Sequence, residues 1–236
     1  MKNKEHVFEL FQTISQNYDR ANDRISFGMH RAWKKHLIRQ VGRYVQPGAK
    51  ILDVCCGTGD MCWLFEQENR DYQITGLDFS PNMLAKAQLK VVGTKLVLGD
   101  ALNLPFEDDS FDCAIISFGL RNTTDYLRVL SEMRRVIRPG GMAACLDSFS
   151  PDHPWIRPFY RFYFRHLMPI WGGGSRMKEE YKWLNVSTED FVSKAVLPKL
   201  FEAAGFERTT CTSFLWGCSA CHTGFKGDKA KDEVGL

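Results

Sequence analysis

The run Ile51-Leu52-Asp53-Val54-Cys55-Cys56-Gly57-Thr58-Gly59-Asp60, with Asp78 closing the next apolar stretch, constrains this chain more than any other segment. It reads as a buried strand entering a tight glycine turn, a helix start, and a second strand that ends in a carboxylate. Glycine takes positive φ and lets a ligand approach the backbone, and a carboxylate at the next strand end accepts from both hydroxyls of a ribose. The segment therefore predicts a nucleotide pocket. Only two glycines are present, and the third, helix-packing glycine of the dinucleotide fingerprint is missing. A two-glycine turn is poorly suited to wrapping a pyrophosphate, which favours an adenosyl ligand without phosphates.

Apolar runs of strand and helix length alternate around this turn. Strands are predicted at Lys50 to Val54, Gln73 to Asp78, Lys95 to Leu98, Phe111 to Ser117 and Met142 to Asp147. Helices are predicted from Thr58 to about Glu68, after Ser80 as N-cap with Pro81 at the first helical position to about Lys90, and from about Asp125 to Ile137, stopping at Pro139-Gly140-Gly141. This rhythm implies an α/β fold with a parallel sheet, helices on both faces, and a ligand beyond the carboxyl ends of the strands. Thr58, Asp78, Asp100 and Ser117 fall at or just past those ends.

A chain of 236 residues with 44% hydrophobic and 25% charged residues suits one sizeable core, read here as a single domain spanning 1–236. Two segments are too long for connectors: 1–45, expected to form a helical lid, and 150–183, an aromatic insertion over the active-site edge. Gly227 to Leu236 is expected to be a frayed tail. A net charge of +3 is too small to argue for nucleic acid. No membrane-length apolar run or signal peptide is recognisable, so a cytoplasmic location is expected, and disulfides are not. Among the eight cysteines, Cys113 and Cys145 read as buried strand residues, and Cys55 and Cys56 lie at the pocket turn. The lone pair Cys218 and Cys221 lacks a second pair at zinc spacing, and no metal is expected.

Several strings together resemble one family. They are Tyr18-Asp19 with Asp23, Ser26-Phe27-Gly28-Met29-His30-Arg31 and Trp33-Lys34; the turn Asp53 to Asp60; Asp100 to Phe106; and Ser117-Phe118-Gly119-Leu120-Arg121-Asn122-Thr123-Thr124-Asp125. Lys178 to Tyr181 and Ala220 to Lys226 add to them. Over roughly Val7 to Lys226 the chain is similar to the UbiE/COQ5 C-methyltransferases, the family of the demethylmenaquinone and phytyl-naphthoquinone enzymes. The resemblance implies a class I S-adenosyl-L-methionine-dependent methyltransferase fold, Rossmann-like, with a seven-stranded, mostly parallel sheet closed by a hairpin within Arg208 to Phe225. It implies that Asp53, Gly57, Thr58, Gly59, Asp60, Asp78, Asp100, Ala101 and Ser117 contact the S-adenosyl-L-methionine cofactor. Asp78 is expected on the ribose, Asp100 on the adenine amino group, and Asp53 or Asp60 opposite the ammonium or sulfonium charge. For Asp60, pairing with the helix dipole is an equal alternative.

A sulfonium methyl is already activated, so such an enzyme must mainly align an electron-rich carbon with it and exclude water. A quinol gains electron density at the ring carbon when a neighbouring hydroxyl loses its proton, which calls for a base or a phenolate-stabilising group. Arg121 and Asn122 are the candidates past the fourth strand, with Tyr18 closing over the sulfonium and Asp19 as base. The plainer roles are Arg121 tying its loop to a carboxylate and Asp19 capping a helix. His30 is expected to be packed, and His222 is assigned no chemistry. In Trp155 to Trp171, aromatic residues crowd around Arg157, Arg161 and Arg165, a pattern for peripheral membrane contact at the inner face or for a buried helix with a solvated edge. Expected partners are a hydrophobic quinol, that membrane surface and a second copy of the chain; nucleic acid is not expected. Other readings are a methyltransferase of this fold acting on nitrogen, oxygen or sulfur of a soluble small molecule, and a non-catalytic cofactor-binding scaffold.

Overall fold

The computed structural model describes residues 7, 9, 23, 26–68, 70–151, 153–162 and 186–227. Strands β1 (Lys50–Val54), β2 (Gln73–Asp78), β3 (Lys95–Leu98), β4 (Phe111–Ser117), β5 (Ile137–Ser148), β6 (Phe206–Phe214) and β7 (Ser219–Lys226) form one sheet in the order β3-β2-β1-β4-β5-β7-β6. Only β7 runs antiparallel to its neighbours, β5 and β6. The order reverses between β1, which pairs with β2 on one side, and β4 on the other. Such a switch point opens a crevice at the carboxyl ends of the strands.

Alternation along the central strands divides the core into two layers. Leu52, Ala114, Ile116, Ala143 and Cys145 face one layer, covered by α4 (Tyr126–Val136) and α6 (Leu197–Ala203). Ile51, Cys113, Ile115, Ala144 and Leu146 face the other, covered by α1 (Met29–Tyr44) and α2 (Asp60–Glu66). Both faces being covered explains the nearly continuous burial of β1 and β4. Within the 1–45 segment, α1 buries Leu37, Ile38 and Val41 against the sheet, which contributes on the order of several kcal/mol. That helix is part of the core.

Helix starts follow local chemistry. Ser80 Oγ accepts from Met83 N at 3.3 Å and Pro81 opens α3 (Pro81–Gln88). Asp125 Oδ1 accepts from Arg128 N at 2.9 Å, which makes Asp125 the cap of α4 and not its first residue. Gly59, at φ 78°, caps α2, so that helix begins at Asp60 and not at Thr58. The largest difference from the sequence reading concerns Pro139-Gly140-Gly141, expected between a helix and a strand from Met142. The strand starts at Ile137 and passes through them, because Ile137 pairs with Phe111 and the residues between Ile137 and Met142 bulge out of β5 opposite Asp112. A Cβ on Gly141 would stand 2.6 Å from Asp112 O, so the two strands approach too closely there for any side chain.

At the switch point the exits of β1 and β4 nearly touch. Cys55 adopts φ 58°, and a Cβ on Gly119 would lie 2.7 Å from the Cβ of Cys55 and 3.1 Å from Ile116 Cγ1. A non-glycine left-handed residue on one strand end is thus accommodated by a glycine on the other. Gly119→Ala should lower stability by roughly 1–3 kcal/mol in urea denaturation. Adding Cys55→Gly should recover most of that loss, and a double variant no better than Gly119→Ala would contradict the contact.

Candidate active site

Beyond the ends of β1, β2 and β4 lies a cleft of about 760 Å³, open to solvent, whose walls include Gly57, Asp78, Asp100, Ala101, Ser117 and Asn122. Asp78 organises it. Its Oδ2 accepts from Gly57 N at 2.8 Å and its Oδ1 from Ser80 N at 2.9 Å. Burial pushes the Asp78 pKa up, opposed by these backbone donors. The carboxylate is held rigidly by backbone donors at the floor of the cleft. Gly57, at φ 55°, has no heavy atom within 4 Å of where a Cβ would be, so its backbone faces open cleft. A Cβ on Gly59 would lie 3.0 Å from the Ala87 Cβ of α3. The second glycine therefore does the close helix packing that the dinucleotide fingerprint gives to its third. Asp100 Oδ1 accepts from Leu102 N at 3.0 Å, forming a turn that sets Ala101 against the cleft beside Leu77, Phe79 and Met83.

Cys55, Gly57, Ser117 and Phe118 also line a smaller chamber of about 370 Å³, completed by Lys34, Asp53, Thr58 and Asp60 among others. Cys62 Sγ donates to Asp53 Oδ2 at 3.3 Å, whereas Asp53 Oδ1 and Ser117 Oγ have no partner among the described residues. Burial pushes the Asp53 carboxyl up to about 7 despite Cys62 and Lys34. Asp60 behaves oppositely: burial would raise it, but Lys34 and Lys90 bring it down to about 2. Lys34 Nζ lies 2.8 Å from Asp60 Oδ2, Lys90 Nζ pairs with Asp60 Oδ1, and Lys90 also donates to Thr58 Oγ1 at 3.3 Å. Asp60 thus sits in the first turn of α2 between two ammonium groups. Neither lysine was picked out as a site residue from the sequence. The available signal was Lys34 sharing the buried stripe of α1 with His30, Leu37, Ile38 and Val41.

Past the end of β4, Leu120–Asn122 form a single 3-10 turn. Arg121 is buried and its Nη1 donates to Asp147 Oδ1 at 2.5 Å and to Phe118 O at 3.0 Å. Its backbone N reaches Asp147 Oδ2 at 3.1 Å. The guanidinium ties the loop to the end of β5, and the side chain that lines the cleft from this turn is Asn122. Tyr18 and Asp19 lie outside the described residues. His30 is buried on Ser26 Oγ at 2.6 Å, and His222 Nε2 is 3.1 Å from Lys194 O. Burial lowers both imidazoles, His222 to about 4.

Helix α5 (Ile156–Phe162) buries no residue, and Trp155 and Phe159 are 79% and 75% exposed. The buried-helix alternative does not hold for this part of the insertion. Residues 163–185, including Arg165 and Trp171, lie outside the described residues. Among the described residues no helix is long and apolar enough to cross a membrane.

Comparison with known proteins bears on this site. The model of the ubiE/COQ5 methyltransferase family matches residues 1–226. A demethylmenaquinone methyltransferase of Staphylococcus haemolyticus is 47% identical over 230 residues, covering 94% of this chain and 95% of that protein. One of Staphylococcus aureus is 47% identical over 231 residues, covering 95% and 94%. In fold, the chain is similar to a SAM-dependent methyltransferase of Thermotoga maritima, with a TM-score of 0.66 at 20% identity over 94% of this chain and 100% of that one. It is also similar to a Haemonchus contortus phosphoethanolamine N-methyltransferase in complex with S-adenosyl-L-methionine, with a TM-score of 0.62 at 15% identity over 83% of this chain and 53% of that one.

The state of Asp53 is measurable without a ligand. In the unfolded chain it ionises near 3.8, in the fold near 7, so its contribution to stability is complete below the first value and lost as pH rises through the second. Asp53→Asn, which cannot ionise, should therefore stabilise the ligand-free protein at pH 8 by on the order of a few kcal/mol relative to wild type. The difference should shrink at pH 5. Thermal melts showing equal differences at both pH values would contradict this reading of the buried carboxyl.

Proposed function

Because this chain belongs to the ubiE/COQ5 methyltransferase family, we propose that it transfers a methyl group from S-adenosyl-L-methionine to a ring carbon of a polyprenyl naphthoquinol in menaquinone biosynthesis. It is an S-adenosyl-L-methionine-dependent methyltransferase. The observation that carries the acceptor is the 47% identity to demethylmenaquinone methyltransferases over nearly the whole of both chains.

The residues present fit the donor. Asp78 would hold the ribose hydroxyls, Asp100 the adenine amino group with Ala101 beside the ring, and Asp53, whose free oxygen faces no protein donor among the described residues, the ammonium. When bound, S-adenosyl-L-methionine supplies a methyl group activated by its sulfonium charge. The chain must orient the quinol, exclude water and hold the charge left when a ring hydroxyl is deprotonated. Asn122, on the cleft wall, offers its amide to that ring oxygen. Arg121 acts through Asp147 as a positioning residue that keeps the turn in place. Val7, buried against the cleft, supports a covering role for the N-terminal segment, within which Tyr18 and Asp19 are proposed as cover and base.

The same reading assigns α5 to a membrane surface from which a prenylated acceptor enters. Exposed Trp155, Phe159 and Phe162 alternate with Arg157 and Arg161, the composition of an interfacial helix facing anionic lipid. Arg157→Glu with Arg161→Glu should weaken flotation with phosphatidylglycerol vesicles at least several-fold, by roughly 1 kcal/mol per basic residue lost near the surface. Undiminished flotation would sink the membrane assignment.

The acceptor is tested by supplying methyl-labelled donor together with a demethylmenaquinol in detergent and a pool of soluble amines, alcohols and thiols. Label is expected on the quinol ring. Label confined to a soluble compound would overturn the quinone reading and favour the small-molecule alternative.

A further inference from the structure

Lys34 occupies an unusual position for a lysine. Its side chain is 8% exposed, on the face of α1 that packs into the core. A buried ammonium is costly unless partners offset its lost hydration. The partner in reach is Asp60, at 2.8 Å, but Asp60 also pairs with Lys90, so one carboxylate serves two cations. Across the chamber, Asp53 is 1% exposed and its Oδ1 has no partner among the described residues; Ser117 Oγ, on the same walls, has none either. The chamber therefore has on one wall a buried ammonium that shares its carboxylate with Lys90, and on another a carboxylate oxygen with no partner among the described residues.

A zwitterion satisfies both. The chamber adjoins the larger cleft at Cys55, Gly57, Ser117 and Phe118, which line both spaces. The amino-acid end of a molecule whose nucleoside lies in the larger cleft is a zwitterion placed to reach it. We propose that Lys34 binds the carboxylate of the donor's amino-acid end, with the ammonium of that end set against Asp53. The assignment rests on the donor named above and adds a residue from outside the glycine turn. It also links α1, which follows directly on the N-terminal segment, to occupancy of the donor site. Lys90, on the far side of Asp60, keeps that carboxylate paired, so the role of Lys34 is separable from holding α1 to α2.

Calorimetry on the full chain tests this with S-adenosylhomocysteine, its decarboxylated analogue, and methylthioadenosine, which lacks the amino-acid end. Lys34→Gln should weaken S-adenosylhomocysteine roughly ten- to a hundred-fold, the range of one charge-assisted hydrogen bond, and leave methylthioadenosine within about two-fold. Wild type should lose a similar factor when the ligand lacks its carboxylate, and Lys34→Gln should lose nothing further. Lys34→Arg should retain the preference for the carboxylate. Equal weakening of S-adenosylhomocysteine and methylthioadenosine, or no weakening of either, would overturn the proposal. So would a wild type indifferent to the ligand carboxylate, a result that needs no variant to fold. Wild type binding none of the three would overturn the donor assignment and the Lys34 role together, a pattern distinct from the others.

Discussion

The carboxylate of Asp78 is the contact on which the nucleotide edge depends. Its two oxygens join the glycine turn after β1 to the start of α3 after β2, through Gly57 N and Ser80 N. Cys56 N adds a hydrogen bond to Leu77 O at 2.9 Å, so the turn is fastened to the end of the neighbouring strand at two successive residues, Cys56 and Gly57. Removing the carboxylate would leave two backbone donors at the base of the cleft without acceptors, a cost of about 1–3 kcal/mol each where they are buried. The integrity of the turn and the ribose contact proposed above thus reside in one side chain.

Charge is distributed around that edge in two compartments. Beside the glycine turn, Lys34, Asp53 and Asp60 line a chamber with an unequal pairing: Asp60 is held by Lys34 and by Lys90 behind it, while Asp53 is buried, raised to about 7, and among the described residues meets a thiol at one oxygen and nothing at the other. Past β4, Arg121 and Asp147 form a buried pair, and Asn122 of the same turn stands at the cleft. Breaking such a pair costs several kcal/mol because the remaining charge stays buried. Arg121 can therefore be indispensable to the active-site turn without touching a substrate. The first compartment leaves a buried carboxylate oxygen unmet among the described residues, and the second holds the geometry of its turn.

Much of this was legible along the chain. Strands β3 and β4 begin and end where their apolar runs do, and Ser80-Pro81 announces the start of α3 because capping depends on neighbours three residues apart. The Pro139-Gly140-Gly141 entry to β5 was not legible, since residues that normally break structure are tolerated where they form a bulge whose flanks, Ile137 and Met142, still pair with the neighbouring strand. Gly59 was read as a ligand-side glycine, but its close neighbour is Ala87, which only the docking of α3 brings near. Helix α5 shows the converse: its aromatic content was equally compatible with a core, and its exposure follows from what packs around it.

From sequence alone came the parallel α/β rhythm, the two-glycine turn, the carboxylates at the strand ends and the family strings, because each is encoded in backbone preference, side-chain period or short-range order. Tertiary structure decided the partners. Lys34 meets Asp60 and Arg121 meets Asp147 across separations of 26 residues in each case, set by how α1 lies on the sheet and how β4 registers with β5. A charged residue in a motif announces that it has a role. Whether that role is toward a ligand or toward another side chain is an electrostatic question, answered only when burial and distance are known.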